Sequence, residues 1–247
     1  MAEILKARVS KFETFGLVDG PGVRFVVFLQ GCNLRCQFCH NPETWKCNEG
    51  GELWSLGDLY NKVIRYKPYW KNNGGVTVSG GEPLVQIDFL IEFFKKLKKD
   101  GVQTVIDTAG EPFTREEPFF SKFEELMKYT DLVMLDLKEM DEKKHIKLTG
   151  KTNQNIFDLA NYLSDTGKEM WIRHVLVPGL TDDEEGLKEM KEFIDSLKTV
   201  TKVEILPYHT LALPKWDELG LKYPLEGVPT PTEDEVKKAE DILGIVK

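Results

Sequence analysis

The feature that most limits how this chain can fold is a repeated exchange of two periodicities. Short apolar runs rich in β-branched residues alternate with longer stretches whose apolar positions recur every three or four residues. Strands are expected at residues 25–29, 76–78, 104–106, 132–137, 170–177 and 203–206. Helices are expected at 53–66, 88–99, 121–129, 155–165, 183–198 and, after a proline-rich stretch, 233–242. Strand then helix, repeated, implies a parallel sheet, because each helix returns the chain across the sheet to start the next strand in the same direction. Six such units are fewer than the eight of a closed barrel, so pattern alone leaves an open partial barrel and a doubly wound sheet as alternatives.

Composition narrows the class of protein. At 247 residues, one domain spanning 1–247 is expected, since α/β barrels of about 200–250 residues commonly fold as a unit. Lys plus Arg number 33 against 41 Asp plus Glu, a balance of −8 that disfavours nucleic acid as the main partner. The first residues mix charge into every turn, unlike a secretory signal, and no apolar run approaches the roughly 18 residues of a membrane span. All four cysteines fall between positions 32 and 47, a poor way to staple a fold of this size with disulfides. A cytoplasmic chain with a metal site, and no membrane partner, is the expectation.

The chemically capable residues gather where the expected strands end. Gly31 onward follows the first strand, Ser79-Gly80-Gly81-Glu82 the second, Asp107-Thr108 the third, Asp136 and Lys138 the fourth, and His209 the last. In parallel α/β folds that edge carries the site, because the βα loops converge there.

Cys32, Cys36 and Cys39 lie on one loop, close enough in sequence to share a metal centre without long-range loop closure. Three unrelated buried thiols fit poorly with a loop that also carries Arg35, Gln37 and His40. A zinc site completed by His40 is hindered because Cys39 and His40 are adjacent. The Cys36-Gln37-Phe38-Cys39-His40 stretch matches a c-type haem attachment pattern, but covalent haem implies export and the export signal is missing. A cubane cluster has four irons and usually four thiolates, so this loop either recruits Cys47 or leaves one iron open to another ligand. The first outcome describes an electron carrier and the second an enzyme. Cys47, in a polar stretch, reads as a bystander or surface thiol.

The motifs together carry a resemblance. The Cys32, Cys36, Cys39 spacing is that of radical S-adenosylmethionine enzymes. Asp19-Gly20-Pro21-Gly22-Val23-Arg24 and Cys39-His40-Asn41-Pro42-Glu43-Thr44-Trp45 resemble the glycyl-radical-enzyme activases within them. The likeness continues through Thr77-Val78-Ser79-Gly80-Gly81-Glu82, Thr130-Asp131-Leu132-Val133-Met134-Leu135-Asp136-Leu137-Lys138, Trp171-Ile172-Arg173, Val177-Pro178-Gly179 and Leu206-Pro207-Tyr208-His209, nearly the whole chain. Many members carry an inserted ferredoxin-like domain with extra cysteines. This chain has no cysteines to supply one, which favours the branch acting on pyruvate formate-lyase.

What the resemblance implies is specific. A 4Fe-4S cluster on Cys32, Cys36 and Cys39 would bind S-adenosylmethionine at its open iron and cleave it to a 5′-deoxyadenosyl radical. That radical would take a hydrogen from a backbone glycine of the partner enzyme, with a flavodoxin or ferredoxin as one-electron donor. Contacts to S-adenosylmethionine would come from Phe38, Cys39, His40, Gly80, Gly81, Glu82, Asp136, Leu137, Lys138 and His209. Asp107, Thr108, Met134 and Asp136 would hold a monovalent cation, sodium or potassium, and Asp19 would touch the substrate peptide. Without the likeness, the Ser79 to Glu82 stretch reads equally as a plain turn, the aspartates as solvated carboxylates, His209 as a rim histidine and Asp19 as ordinary turn chemistry. His145, flanked by lysines, reads as a surface residue.

Two departures bear on the partner: the polar 111–118 segment is longer than the pattern, and the tail is short. The expected architecture is α/β, an open, partial (β/α)6 TIM-like barrel of parallel strands. The alternatives kept open are activation of a different glycyl radical enzyme, an iron–sulfur electron carrier, and a zinc-binding module.

Overall fold

In the computed structural model, which describes residues 5–245, the alternating pattern becomes eight strands and eight α-helices. The strands are β1 (Lys6–Gly16), β2 (Arg24–Leu29), β3 (Glu52–Ser55), β4 (Gly75–Gly80), β5 (Gln103–Thr108), β6 (Leu132–Asp136), β7 (Met170–Leu176) and β8 (Val200–Pro207). The helices are α1 (Leu56–Ile64), α2 (Ile87–Lys99), α3 (Phe119–Met127), α4 (Glu142–Thr149), α5 (Gln154–Asp165), α6 (Glu184–Ser196), α7 (Leu213–Glu218) and α8 (Glu233–Leu243). Sheet order is β3-β1-β2-β4-β5-β6-β7-β8, an open eight-stranded series. All six expected strands are present. The ends of the expected 1–247 domain, residues 1–4 and 246–247, lie outside the described residues.

Contacts divide the chain into two compact units, residues 1–33 with 43–134, and 34–42 with 135–247. In the first, β2, β4 and β5 are parallel, and β1 runs antiparallel to both β2 and β3. β2 is buried at every residue but Phe28 and β4 at every residue but Gly80, as expected of strands covered on both faces. One buried polar exception is Arg24, with no exposed surface. Its guanidinium donates to Thr77 Oγ1 at 3.0 Å, Gln103 Oε1 at 2.6 Å, and the carbonyls of Val76 at 2.6 Å and Pro21 at 3.2 Å. Thr77 Oγ1 in turn donates to the Asp19 carbonyl at 2.6 Å, so the Asp19 to Gly22 turn is tied to β4. Gly20 and Gly22 have φ of +123° and +68°, values that favour glycine there.

The second unit holds parallel β7 and β8 and the helices α4 to α8. Helix α4 starts where Asp141 accepts from Lys144 N and ends at Gly150 with φ 81°. Its last carbonyls, Leu148 and Thr149, which no helical amide can reach, accept instead from Gln37 N at 3.0 Å and Arg35 N at 2.7 Å.

Three expectations need correction. The helix expected over 53–66 begins only at Leu56, because residues 52–55 pair with β1 as an edge strand. Strand β1 was not anticipated: register shifts between Val9 and Lys11 and between Glu13 and Gly16 break the two-residue alternation that would have marked it. His145 is fully buried rather than at the surface. On α4, positions 145, 148 and 149 share the inward face, and the lysines at 143, 144 and 147 occupy other faces. Its Nδ1 lies 2.7 Å from the Lys151 carbonyl, Nε2 has no partner, and burial lowers its pKa.

Candidate functional site

The first unit brings together the ends of β2, β4 and β5. Gly80 ends β4 with φ of +126°, and a Cβ there would meet Leu29 N at 2.2 Å. At Gly81 a Cβ would lie 2.2 Å from the Gly31 carbonyl and 3.1 Å from Cys32 Cβ. Only glycine lets this strand end approach the cysteine-bearing loop so closely. Backbone bonds close the contact: Gly81 N to Leu29 O at 2.9 Å and Glu82 N to Gly31 O at 2.7 Å. Gly31 N and Cys32 N donate to the carbonyls of Thr44 and Trp45 at 2.7 and 3.3 Å.

Glu82, with no exposed surface, clamps the same turn. Oε1 accepts from Thr108 Oγ1 at 2.6 Å and from Leu84 N at 3.0 Å, and Oε2 accepts from Ala109 N at 2.9 Å. Burial pushes its pKa up to about 7, against the pull of those three donors. Its side chain therefore ties the end of β4 to the end of β5. Asp107 accepts from Ser79 Oγ at 2.7 Å. Of the four residues expected around a cation, Asp107, Thr108 and Met134 belong to this unit and Asp136 to the other. The 111–118 segment also reaches this region, since Glu111 Oε2 accepts from Asn33 Nδ2, beside Cys32, at 2.9 Å.

The second unit carries the remaining residues. Cys39 N donates to Cys36 O at 3.1 Å, a tight turn that presents both side chains from one short segment. Cys36 is buried, and burial pushes its thiol up to about 12 although the Lys138 ammonium pulls the other way. Lys138, 7% exposed, pairs with Asp136 at 2.6 Å and sits 5.4 Å from the centre of the Phe38 ring. Leu137 N donates to Arg173 O at 2.9 Å, which holds this strand end to β7. The His40 and His209 rings lie 4.0 Å apart at 36°, and His209 Nδ1 is buried without a hydrogen-bond partner. Thus Cys36, Phe38, Asp136 and Lys138 form one group, and His40 with His209 another. Cys32 belongs to the first unit, and Cys47 is exposed.

Missed from the sequence were Lys215 and Trp216 on α7. Trp216 Nε1 donates to the Cys39 carbonyl at 3.0 Å, and Lys215 Nζ donates to the His40 carbonyl at 2.8 Å and to Asn41 Oδ1 at 2.9 Å. Some 175 positions separate these partners, and no local spacing announces them.

Donor chemistry decides whether an iron–sulfur cluster fits. Among the described residues no three His, Cys, Asp or Glu side chains converge as a single-ion site. The cysteine segment offers soft sulfur donors on a loop pinned by backbone hydrogen bonds to α4. A desolvated thiol such as Cys36 becomes thiolate when a metal supplies the positive charge. The orphaned His209 Nδ1 is a buried polar atom that a cofactor group can satisfy. These residues fit a cluster with a polar cofactor beside it.

Comparison with known proteins agrees. Residues 26–191 match the Radical SAM superfamily. The chain is 53% identical over 244 residues to the pyruvate formate-lyase-activating enzyme of Listeria monocytogenes, covering 98% of each. With the enzyme of the same name from Streptococcus mutans it shares 50% over 236 residues, 95% of this chain and 90% of the other. A crystal structure of a domain of pyruvate-formate lyase-activating enzyme from Bacteroides vulgatus superposes with a TM-score of 0.56 at 27% identity, covering 69% of this chain and 93% of that one. The chain belongs to the radical SAM superfamily, among its pyruvate formate-lyase-activating enzymes.

Proposed function

We propose that this protein is a cytoplasmic activating enzyme that removes one hydrogen from a backbone glycine of pyruvate formate-lyase, leaving a glycyl radical. The observation that carries the reading is identity of 53% extending over 98% of both chains, which takes in every strand end described above. When bound, the 4Fe-4S cluster and S-adenosylmethionine supply a carbon-centred radical by one-electron reductive cleavage, for hydrogen abstraction.

This chain's own residues bind and orient. Cys32, Cys36 and Cys39 would hold the cluster, leaving one of four irons without a protein thiolate. The Gly80 and Gly81 backbone would take the methionyl amino group, with Glu82 keeping the turn in place. Asp136, Lys138 and Phe38 form a charged and aromatic wall that would orient the methionyl portion, and His209 Nδ1 with the His40 ring would meet the adenosyl portion. Asp107, Thr108, Met134 and Asp136 are proposed to hold a monovalent cation, and Asp19 to contact the substrate peptide. A flavodoxin or ferredoxin would supply the electron.

The test is anaerobic reconstitution followed by reaction with S-adenosylmethionine, a strong reductant and pyruvate formate-lyase. About four irons per chain, release of 5′-deoxyadenosine and a glycyl radical detected by electron paramagnetic resonance on the partner are expected. Cofactor cleavage with no radical on that partner would overturn the choice of partner. Iron binding without cleavage would overturn the enzyme reading.

A further inference from the structure

The segment carrying Cys36, Cys39 and His40 has little regular structure of its own, so something must hold it in one conformation. On its first half α4 does so, through the amides of Arg35 and Gln37. On its second half the anchors come from two adjacent side chains of α7. Three hydrogen bonds, from Trp216 Nε1 to Cys39 O and from Lys215 Nζ to His40 O and Asn41 Oδ1, capture three consecutive residues. Helix α7 is itself fixed from behind. Trp216, 3% exposed, packs edge-on against Tyr223 at 5.2 Å, and the Tyr223 hydroxyl lies 2.8 Å from that of buried Tyr208, at the end of β8. An aromatic chain thus transmits the rigidity of the sheet to the Cys39 carbonyl.

We infer that Lys215 and Trp216 are positioning residues that clasp the cysteine loop, Trp216 fixing the Cys39 backbone and Lys215 placing a positive charge beside the metal centre that favours its reduction. The inference rests on reading Cys36 and Cys39 as cluster ligands. Groups that orient metal ligands tune both retention of the metal and its potential. Two separable consequences follow. Loss of the indole N–H frees the Cys39 backbone without altering charge. Loss of the ammonium removes a charge that stabilises the reduced, more negative centre.

The experiment compares wild type with Trp216→Phe, Lys215→Met and Lys215→Arg in two states. In metal-free protein, alkylation of Cys36 and Cys39 by iodoacetamide is followed by mass spectrometry at fixed pH. In reconstituted protein, iron release to a chelator and the cluster potential are measured. Trp216→Phe is expected to alkylate and to release iron several-fold faster, with an unchanged potential. Lys215→Met is expected to shift the potential to more negative values, and Lys215→Arg to restore it. Wild-type alkylation and release rates in Trp216→Phe, or a wild-type potential in Lys215→Met, would overturn the clasp. If Trp216→Phe does not fold, Lys215→Met, at a half-buried position, still decides through the cluster potential. Failure of wild type to assemble a cluster would overturn the ligand reading alone, and the alkylation comparison on metal-free protein would still decide the clasp.

Discussion

Replacing Glu82 by glutamine tests how the fold treats a fully buried carboxyl group. Glu82 has no exposed surface, and burial pushes its pKa up to about 7 from an ordinary 4.5. A raised folded-state pKa means the native chain holds the proton more tightly than the unfolded chain does. The associated stability is complete below about pH 4.5 and is lost as pH rises through about 7. At 1.36 kcal/mol per pH unit, that gap is worth about 3 kcal/mol, a large share of a typical stability of about 5–15 kcal/mol. Glu82→Gln cannot titrate. It also sets an amide NH2 against one of the donors that Glu82 satisfies, the Ala109 N–H or those of Thr108 and Leu84, at a pH-independent cost of about 1–3 kcal/mol. The stability advantage of wild type over Glu82→Gln should therefore shrink by about 3 kcal/mol between pH 4.5 and pH 8. Urea unfolding of the reduced, metal-free protein at a series of pH values measures it. A difference that stays constant with pH would refute the reasoning, since the three donors would then hold the carboxylate ionised despite burial. A difference that widens with pH would refute its sign.

Three further predictions concern the proposed chemistry. Cys32→Ser, Cys36→Ser and Cys39→Ser should each abolish formation of 5′-deoxyadenosine, because loss of one thiolate leaves too few anchors for the cluster; normal turnover in any of them would remove that cysteine from the ligand set. Asp136→Ala and Lys138→Ala should weaken S-adenosylmethionine binding about tenfold or more, the loss of one charge-assisted contact, while the cluster absorption spectrum is unchanged; calorimetry giving wild-type affinity in both would exclude them from the site. Asp19→Ala should retain uncoupled cofactor cleavage and lose glycyl-radical formation on pyruvate formate-lyase. Equal activity in both assays would make Asp19 a turn residue only.

Much of the architecture and the chemistry was legible from the chain. All six expected strands occur, and the residues named at their C-terminal ends do lie at or just past them, as Gly80, Thr108 and Asp136 show. Local signals carried this: a strand announces itself by a run of apolar residues, and the three cysteines fall within eight positions, so a loop proposed to carry a cluster is visible without long-range information. Where a local signal was blurred, the reading failed. Strand β1 is masked by its register shifts, and β3 is only four residues long.

What the tertiary structure alone decided is which side chains lose water and which distant groups meet. His145 looks solvated among its lysines, but the turn of α4 carries it inward, to zero exposure. Glu82 reads as one more polar residue of a turn. The packing of β4 against β5 removes its solvent, so that its proton affinity becomes a property of its surroundings rather than of its type. Lys215 and Trp216 reach Cys39 and His40 across about 175 positions of chain. No periodicity encodes such a contact, because it depends on where a helix and a loop come to rest once the sheet has formed. Sequence by itself determined the order of the six expected strands and the kinds of donor atoms at their ends, both consequences of local patterning. Desolvation and long-range hydrogen bonding, which set charge state and hold the cysteine loop, exist only in the folded chain.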